Sequence, residues 1–207
     1  MGAVDHDVRQ SGDRIDRWLR SHVQKGPVRP AVGKERLDAV AAELGVVFPA
    51  DLRAWWALTD VSADFWIPGA FAPVSLEEAL ETRETWLLVA EQEDEIEEAG
   101  EHGGGHSDDR FLPELMPVAL GTGGDGLVVD LRDGEAQGAV HLWDHERWGL
   151  GVPLWRSTGA MLRDVAVALE AGSPALLEHV ALGCTEAPLV RCFDESGDLN
   201  WVALGDV

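Results

Sequence analysis

The sequence predicts a single domain of the α+β class, with its helices and strands in separate runs. Three stretches carry that prediction: a pair of amphipathic helices over residues 34–60, a β-meander over residues 111–143, and a further amphipathic helix over residues 158–171. Hydrophobic residues make up 45% of the 207, with nine Trp and five Phe, so one sizeable core can be buried.

Residues 1–33 read as a partly helical N-terminal extension. Ile15, Trp18 and Leu19 fall at helical spacing and predict a short helix from about Asp13 to Val23, which Gly26-Pro27 and Pro30 interrupt. Residues 34–207 form the main domain. Its first helix carries Leu37, Val40, Ala41 and Leu44 at i, i+3, i+4 and i+7, one apolar stripe, and Gly45 follows where a left-handed residue closes a helix. Val46-Val47-Phe48 runs extended into Pro49, which starts a second helix bearing Leu52, Trp55 and Trp56 and ending near Thr59-Asp60. A loop with extended pieces leads to Ser75, where Ser-x-x-Glu marks the start of a helix carrying Leu80, Trp86, Leu87 and Leu88.

The character changes after residue 111. Leu115 to Leu120, Gly126 to Leu131 and Ala139 to Trp143 are short apolar runs, separated by a glycine-rich turn at residues 121–125 and by Asp133-Gly134. Period-two alternation sends Val140 and Leu142 to one face and His141 and Trp143 to the other. Ser157 or Thr158 caps the last helix, whose buried stripe is Met161, Leu162, Val165, Ala168 and Leu169. Residues 189–202 alternate weakly around a Gly197-Asp198 turn.

Charge excludes several functions. Thirty-eight Asp and Glu face 16 Lys and Arg, a formal net charge of -22. Binding a phosphate backbone depends on a basic patch that releases counterions, so no nucleic-acid partner is expected; an anionic membrane surface is disfavoured on the same ground. The excess is concentrated: residues 77–109 hold thirteen acidic residues against the single basic Arg83, with an acidic insert near residues 91–109. Such a charge either keeps the protein soluble or steers it toward a basic protein partner. Met1 to Asp7 carry no apolar stretch of signal-peptide type, and no apolar run is long enough to span a bilayer, so the expected location is the cytoplasm. Cys184 and Cys192 make neither a disulfide framework nor a zinc pattern.

Catalytic chemistry finds little support. His102 and His106 are four residues apart, but Gly103-Gly104-Gly105 lies between them and removes the helix that would give the spacing meaning; His141 and His145 straddle a strand end. No metal site, cofactor or enzymatic activity is expected. The glycine cluster Gly121 to Gly126 lacks the Lys and Ser/Thr of a phosphate loop and reads as a hairpin turn. Aromatic anchors are the better lead, because interfaces concentrate their energy in them. Trp55 lies on the helix stripe and reads as core. Trp56, its neighbour, is a candidate for partial exposure, and Trp66, in a polar loop, is the candidate anchor. Asp60, Asp64 and Asp125 would supply charge around it, their other reading being turn and cap chemistry.

The order of these pieces resembles the SUKH superfamily, the Smi/Knr type of cell-wall-assembly regulator. The resemblance rests on Glu43-Leu44-Gly45, the link Val46-Val47-Phe48-Pro49 and the aromatic-bearing helix that follows. It continues in Leu112-Pro113 before a strand, Gly124-Asp125, the strand ending in Asp130, Gly138-Ala139-Val140, the closing helix, and Leu199-Asn200-Trp201. Thr59-Asp60 stands where the family often has Asn-Gly, and Phe48 replaces Leu before the proline. The resemblance implies a central, mostly antiparallel sheet flanked by helices. It also implies a protein-binding module of the bacterial immunity branch, neutralising a cognate toxin, often a nuclease. A regulatory scaffold for an endogenous partner is the alternative, and a metal-dependent hydrolase using the histidines is the third reading, from a different class.

Overall fold

The computed structural model describes residues 3–23, 26–98, 110–146, 149–177 and 188–205, with the backbone alone over 93–98. Helix α1 spans Ala3–His22, β1 Val28–Arg29, α2 Lys34–Leu44, α3 Ala50–Trp56, β2 Val61–Ser62 and β3 Phe71–Pro73. Next come α4 Leu76–Glu98, β4 Leu115–Gly121, β5 Gly126–Asp130, β6 Val140–Asp144 and β7 Gly149–Trp155. Helix α5, Thr158–Ala171, and the hairpin β8 Leu189–Phe193 and β9 Leu199–Ala203 complete the chain. The fold is α+β, built on a five-stranded antiparallel sheet in the order β3-β4-β5-β6-β7.

The three apolar runs form β4, β5 and β6. Two edge strands extend them, and β7 was not expected. Gly149, Gly151 and Pro153 look like breakers, but an edge strand tolerates proline because one side of its backbone meets no neighbour. Both faces of the sheet are covered. Met116, Leu127, Val129 and Val140 point into the main core; Leu115, Val128 and Trp143 point into a second core beneath α4. In that second core Phe111 meets Trp86 and Trp143 edge-on, each at 5.1 Å between centroids. The capping box is formed: the Ser75 amide donates to Glu78 Oε2 at 2.8 Å, and the Glu78 amide to Ser75 Oγ at 3.1 Å. Helix α4 continues through the acidic run to Glu98; the rest of the insert lies outside the described residues.

Helix α2 closes as expected, with Gly45 at φ 68° and closing bonds from the Gly45 amide to Ala42 and from the Val46 amide to Ala41. Helix α1 starts ten residues before the predicted Asp13, at Ala3. Its buried stripe runs through Val8, Ser11, Ile15, Trp18 and Leu19. Small residues stand where the apolar period would continue, because α1 packs close: a Cβ on Gly12 would lie 3.0 Å from Leu58 Cδ1. Arg14 forks onto Glu170 of α5, at 2.6 Å for the shorter contact. The C-terminal hairpin lies against the same helix, with Phe193 stacked on Trp18 at 6.1 Å and the Arg191 guanidinium 5.2 Å from the Trp18 ring centre.

One buried carboxylate ties α3 to α5. Asp51, only 8% exposed, accepts from its neighbour's amide, Leu52, at 3.1 Å and from the Gly159 amide in the first turn of α5 at 3.2 Å. Its negative charge therefore faces two helix N-termini. Asp51→Ala is expected to cost about 1–2 kcal/mol, the usual size of a lost cap with its donor left buried. A shift of that size in the denaturant midpoint at constant m-value checks it.

Candidate partner-binding surface

Where α3 ends, Asp60 takes a left-handed conformation, φ 57°, and turns the chain into β2. Aspartate is one of the few side chains that accept this geometry. The turn sets Asp60 against α1. Between them lies a cavity of about 260 Å³ lined by Asp13, Asp16, Leu58 and Asp60, with Trp55 and Trp66 among its buried walls. A smaller recess, which shares Asp16 and Asp60, continues it toward Val28 and Asp64. Arg20 is held by Asp16 at 2.8 Å, and Ser62 Oγ donates to the Asp64 carboxylate at 2.5 Å.

Beneath the cavity, Trp55 is wedged between two partners. Trp66 meets it edge-on at 6.2 Å, and the Arg29 guanidinium lies 4.7 Å from its ring centre. Arg29 also donates from Nη2 to the Trp55 carbonyl at 2.7 Å, pinning β1 to α3. Burial pulls the Arg29 pKa down to about 10, with the Glu78 carboxylate opposing, so the side chain remains a cation at neutral pH.

The five sequence-predicted contact residues do not share one surface. Asp60 and Asp64 do, at the cavity and its recess. Trp66 is corrected from interface anchor to core: it is 2% exposed, donates its indole N–H to the Ser62 carbonyl at 2.9 Å, and accepts the Trp201 indole N–H on its own carbonyl at 3.2 Å. Trp56 is likewise corrected; it is fully buried and packs on Phe48 at 5.5 Å. Asp125 sits in the β4–β5 turn, in contact with His145. Asp13 and Asp16 at the cavity and Val28 at the recess were not singled out in the sequence. Phe65, 42% exposed, is the outward aromatic of the Phe65-Trp66 pair; the sequence carries no signal for which of the two faces out.

This architecture can be set against known families. The model of the SMI1/KNR4 family (SUKH-1) matches residues 31–164. The chain belongs to that family. No curated protein matches it. The SUKH-1 match takes in α2, α3 and the five-stranded sheet, and ends inside α5; α1 and the β8–β9 hairpin fall outside it. The cavity is thus composite. Asp60 and Leu58 come from the matched SUKH-1 region, whereas Asp13 and Asp16 come from α1.

In this SUKH-1 chain His141 and His145 have structural partners. His141 is buried and donates Nδ1–H to the Gly151 carbonyl at 2.8 Å, bracing β6 against β7. His102 and His106 lie outside the described residues. Among the described residues, no group of three or more His, Cys, Asp and Glu is placed to hold a metal ion. No described helix is long and apolar enough to cross a membrane.

His145 joins two turns of the sheet. Its ring Nδ1–H donates to Asp125 Oδ1 at 2.8 Å and its backbone amide to the same oxygen at 3.0 Å. The ring bond to Asp125 raises the His145 pKa; slight desolvation opposes it, and the charges of Asp125, Glu146 and Asp144 add to it. The group is raised in the folded state, so its contribution is fully present below the ordinary imidazole value of about 6.5. That contribution fades as the pH climbs through the raised folded value. Imidazole NMR titration is expected to place His145 above the ordinary value and to return it toward that value in Asp125→Asn.

Proposed function

We propose that this protein is an immunity protein that binds and neutralises a cognate toxin with a basic, nuclease-type domain. The observation that carries this reading is membership of the SMI1/KNR4 family, whose fold the resemblance links to protein binding. Charge supports it independently. The chain carries a net charge of -22, and α4 presents Glu77, Glu81, Glu84 and Glu91 to solvent. A nuclease domain that grips a phosphate backbone must be basic, and an acidic surface competes for those same basic groups. On this reading the protein works in the bacterial cytoplasm by occlusion, with no bond made or broken and no cofactor.

Co-expression tests it. The chain is produced together with a basic toxin domain encoded beside it, with growth and complex formation followed. A stoichiometric complex and restored growth are expected. Capture of an endogenous protein, with no protection against the toxin, overturns the immunity reading in favour of a regulatory scaffold.

A further inference from the structure

The cavity between α1 and the α3–β2 turn has a size, a charge and a composite origin that bear on what enters it. Its volume, about 260 Å³, lies below the roughly 300–1,000 Å³ of sites that enclose drug-sized molecules or cofactors. One long side chain is an occupant of the right scale. Asp13, Asp16 and Asp60 contribute three negative charges to the lining, against Arg9. Asp16 is engaged by Arg20 at 2.8 Å. Asp13 forms no ion pair among the described residues, and Asp60 attracts Arg20 without a bond to it. Ile15, Leu19 and Leu58 add apolar lining to the same cavity, and each is buried.

We propose that this cavity is the anchor pocket for one cationic side chain, arginine or lysine, of the protein partner. The inference rests on the protein-binding reading above and specifies where a basic partner is gripped. Arginine and lysine combine an apolar stem with a charged head, and they bury the stem while the head stays at a polar rim. Here the stem lies along Leu58 and Leu19 and the head reaches Asp13 and Asp60. Charged groups on such a carboxylate pair gain from both Coulomb attraction and hydrogen bonding. One wall comes from the family-matched region and the other from α1, so the pocket discriminates by means of an element outside the matched residues.

The test is an amide NMR titration of the intact chain with four small probes: acetyl-arginine amide, acetyl-lysine amide, acetyl-norleucine amide and acetyl-glutamate amide. The two cationic probes are expected to shift Thr59, Asp60, Ser62 and the Trp66 indole N–H saturably in the millimolar range. Norleucine, with the stem alone, and glutamate, with the wrong sign, are expected to leave them unmoved. A D13N/D60N variant is expected to weaken the cationic probes about threefold to tenfold, the range of two partly exposed ion pairs. Asparagine accepts the left-handed backbone of Asp60, so this variant keeps the turn, and unchanged resonances elsewhere verify that. Equal binding of norleucine and arginine, saturable shifts confined to other residues, or indifference to D13N/D60N overturns the proposal. If the variant still captures the toxin at full affinity while no cationic probe binds, this pocket assignment fails and the immunity reading stands. If the probes bind and no toxin is captured, the pocket stands and the immunity reading falls.

Discussion

Replacing Trp66 with alanine is expected to lower stability by about 3–5 kcal/mol, the usual range for removing a buried tryptophan from a core. The side chain is 2% exposed and stands edge-on to Trp55 at 6.2 Å, so its loss empties a wall shared with the cavity. Its indole N–H bond to the Ser62 carbonyl goes too, leaving that part of β2 without its side-chain tether. Trp201 donates to the Trp66 carbonyl, so a backbone shift at the emptied site also loosens the β8–β9 hairpin from the core. The neighbouring Phe65→Ala serves as the control. Phe65 is 42% exposed, and a surface truncation of this kind is expected to stay within about 0.5 kcal/mol. Denaturant unfolding of both variants decides the matter: near-equal midpoints would contradict the placement of Trp66 in the core.

The association rate with a basic toxin domain is expected to fall about 10- to 1,000-fold between low and high ionic strength. Thirteen acidic residues fall within residues 77–109, and Glu77, Glu81, Glu84 and Glu91 of α4 are exposed. Charges so placed attract an opposite field before contact, and salt shortens the reach of that attraction to about 8 Å at physiological strength. Dissociation depends on short-range packing and is expected to change far less. Replacing Glu77, Glu81 and Glu84 with lysine reverses part of the field and is expected to slow association at low salt while leaving its high-salt rate nearly unchanged. Stopped-flow measurement at several salt concentrations separates the cases. A rate independent of salt would mean that the acidic surface only keeps the protein soluble.

Much of the fold was legible because its signals are local. The apolar stripe of α2 with Gly45 after it, the Ser75–Glu78 box, and the meander with its turns each arise from residues within a few positions of one another. Strand β7 was not legible, because what admits Gly149, Gly151 and Pro153 is the absence of a neighbour on one side, a property of position in the sheet. The first turns of α1 were missed for a related reason. Ser11 and Gly12 interrupt the apolar period, Ser11 being buried and Leu58 lying tight against Gly12.

The surface divides in the same way. Sequence alone established the family-like succession of elements, the acidic bias and its concentration in residues 77–109, and it singled out Asp60 and Asp64. Each follows from composition or from short-range grammar. Tertiary structure alone decided that Trp56 and Trp66 are buried. Trp66 lies in a polar loop and is sealed by Trp55 and by Trp201, 135 residues away. Burial is set by what packs over a residue, and no local pattern encodes a cover supplied by a distant strand. The cavity is likewise a tertiary product, since its carboxylates come from α1 and from the turn after α3 and meet only when those elements pack.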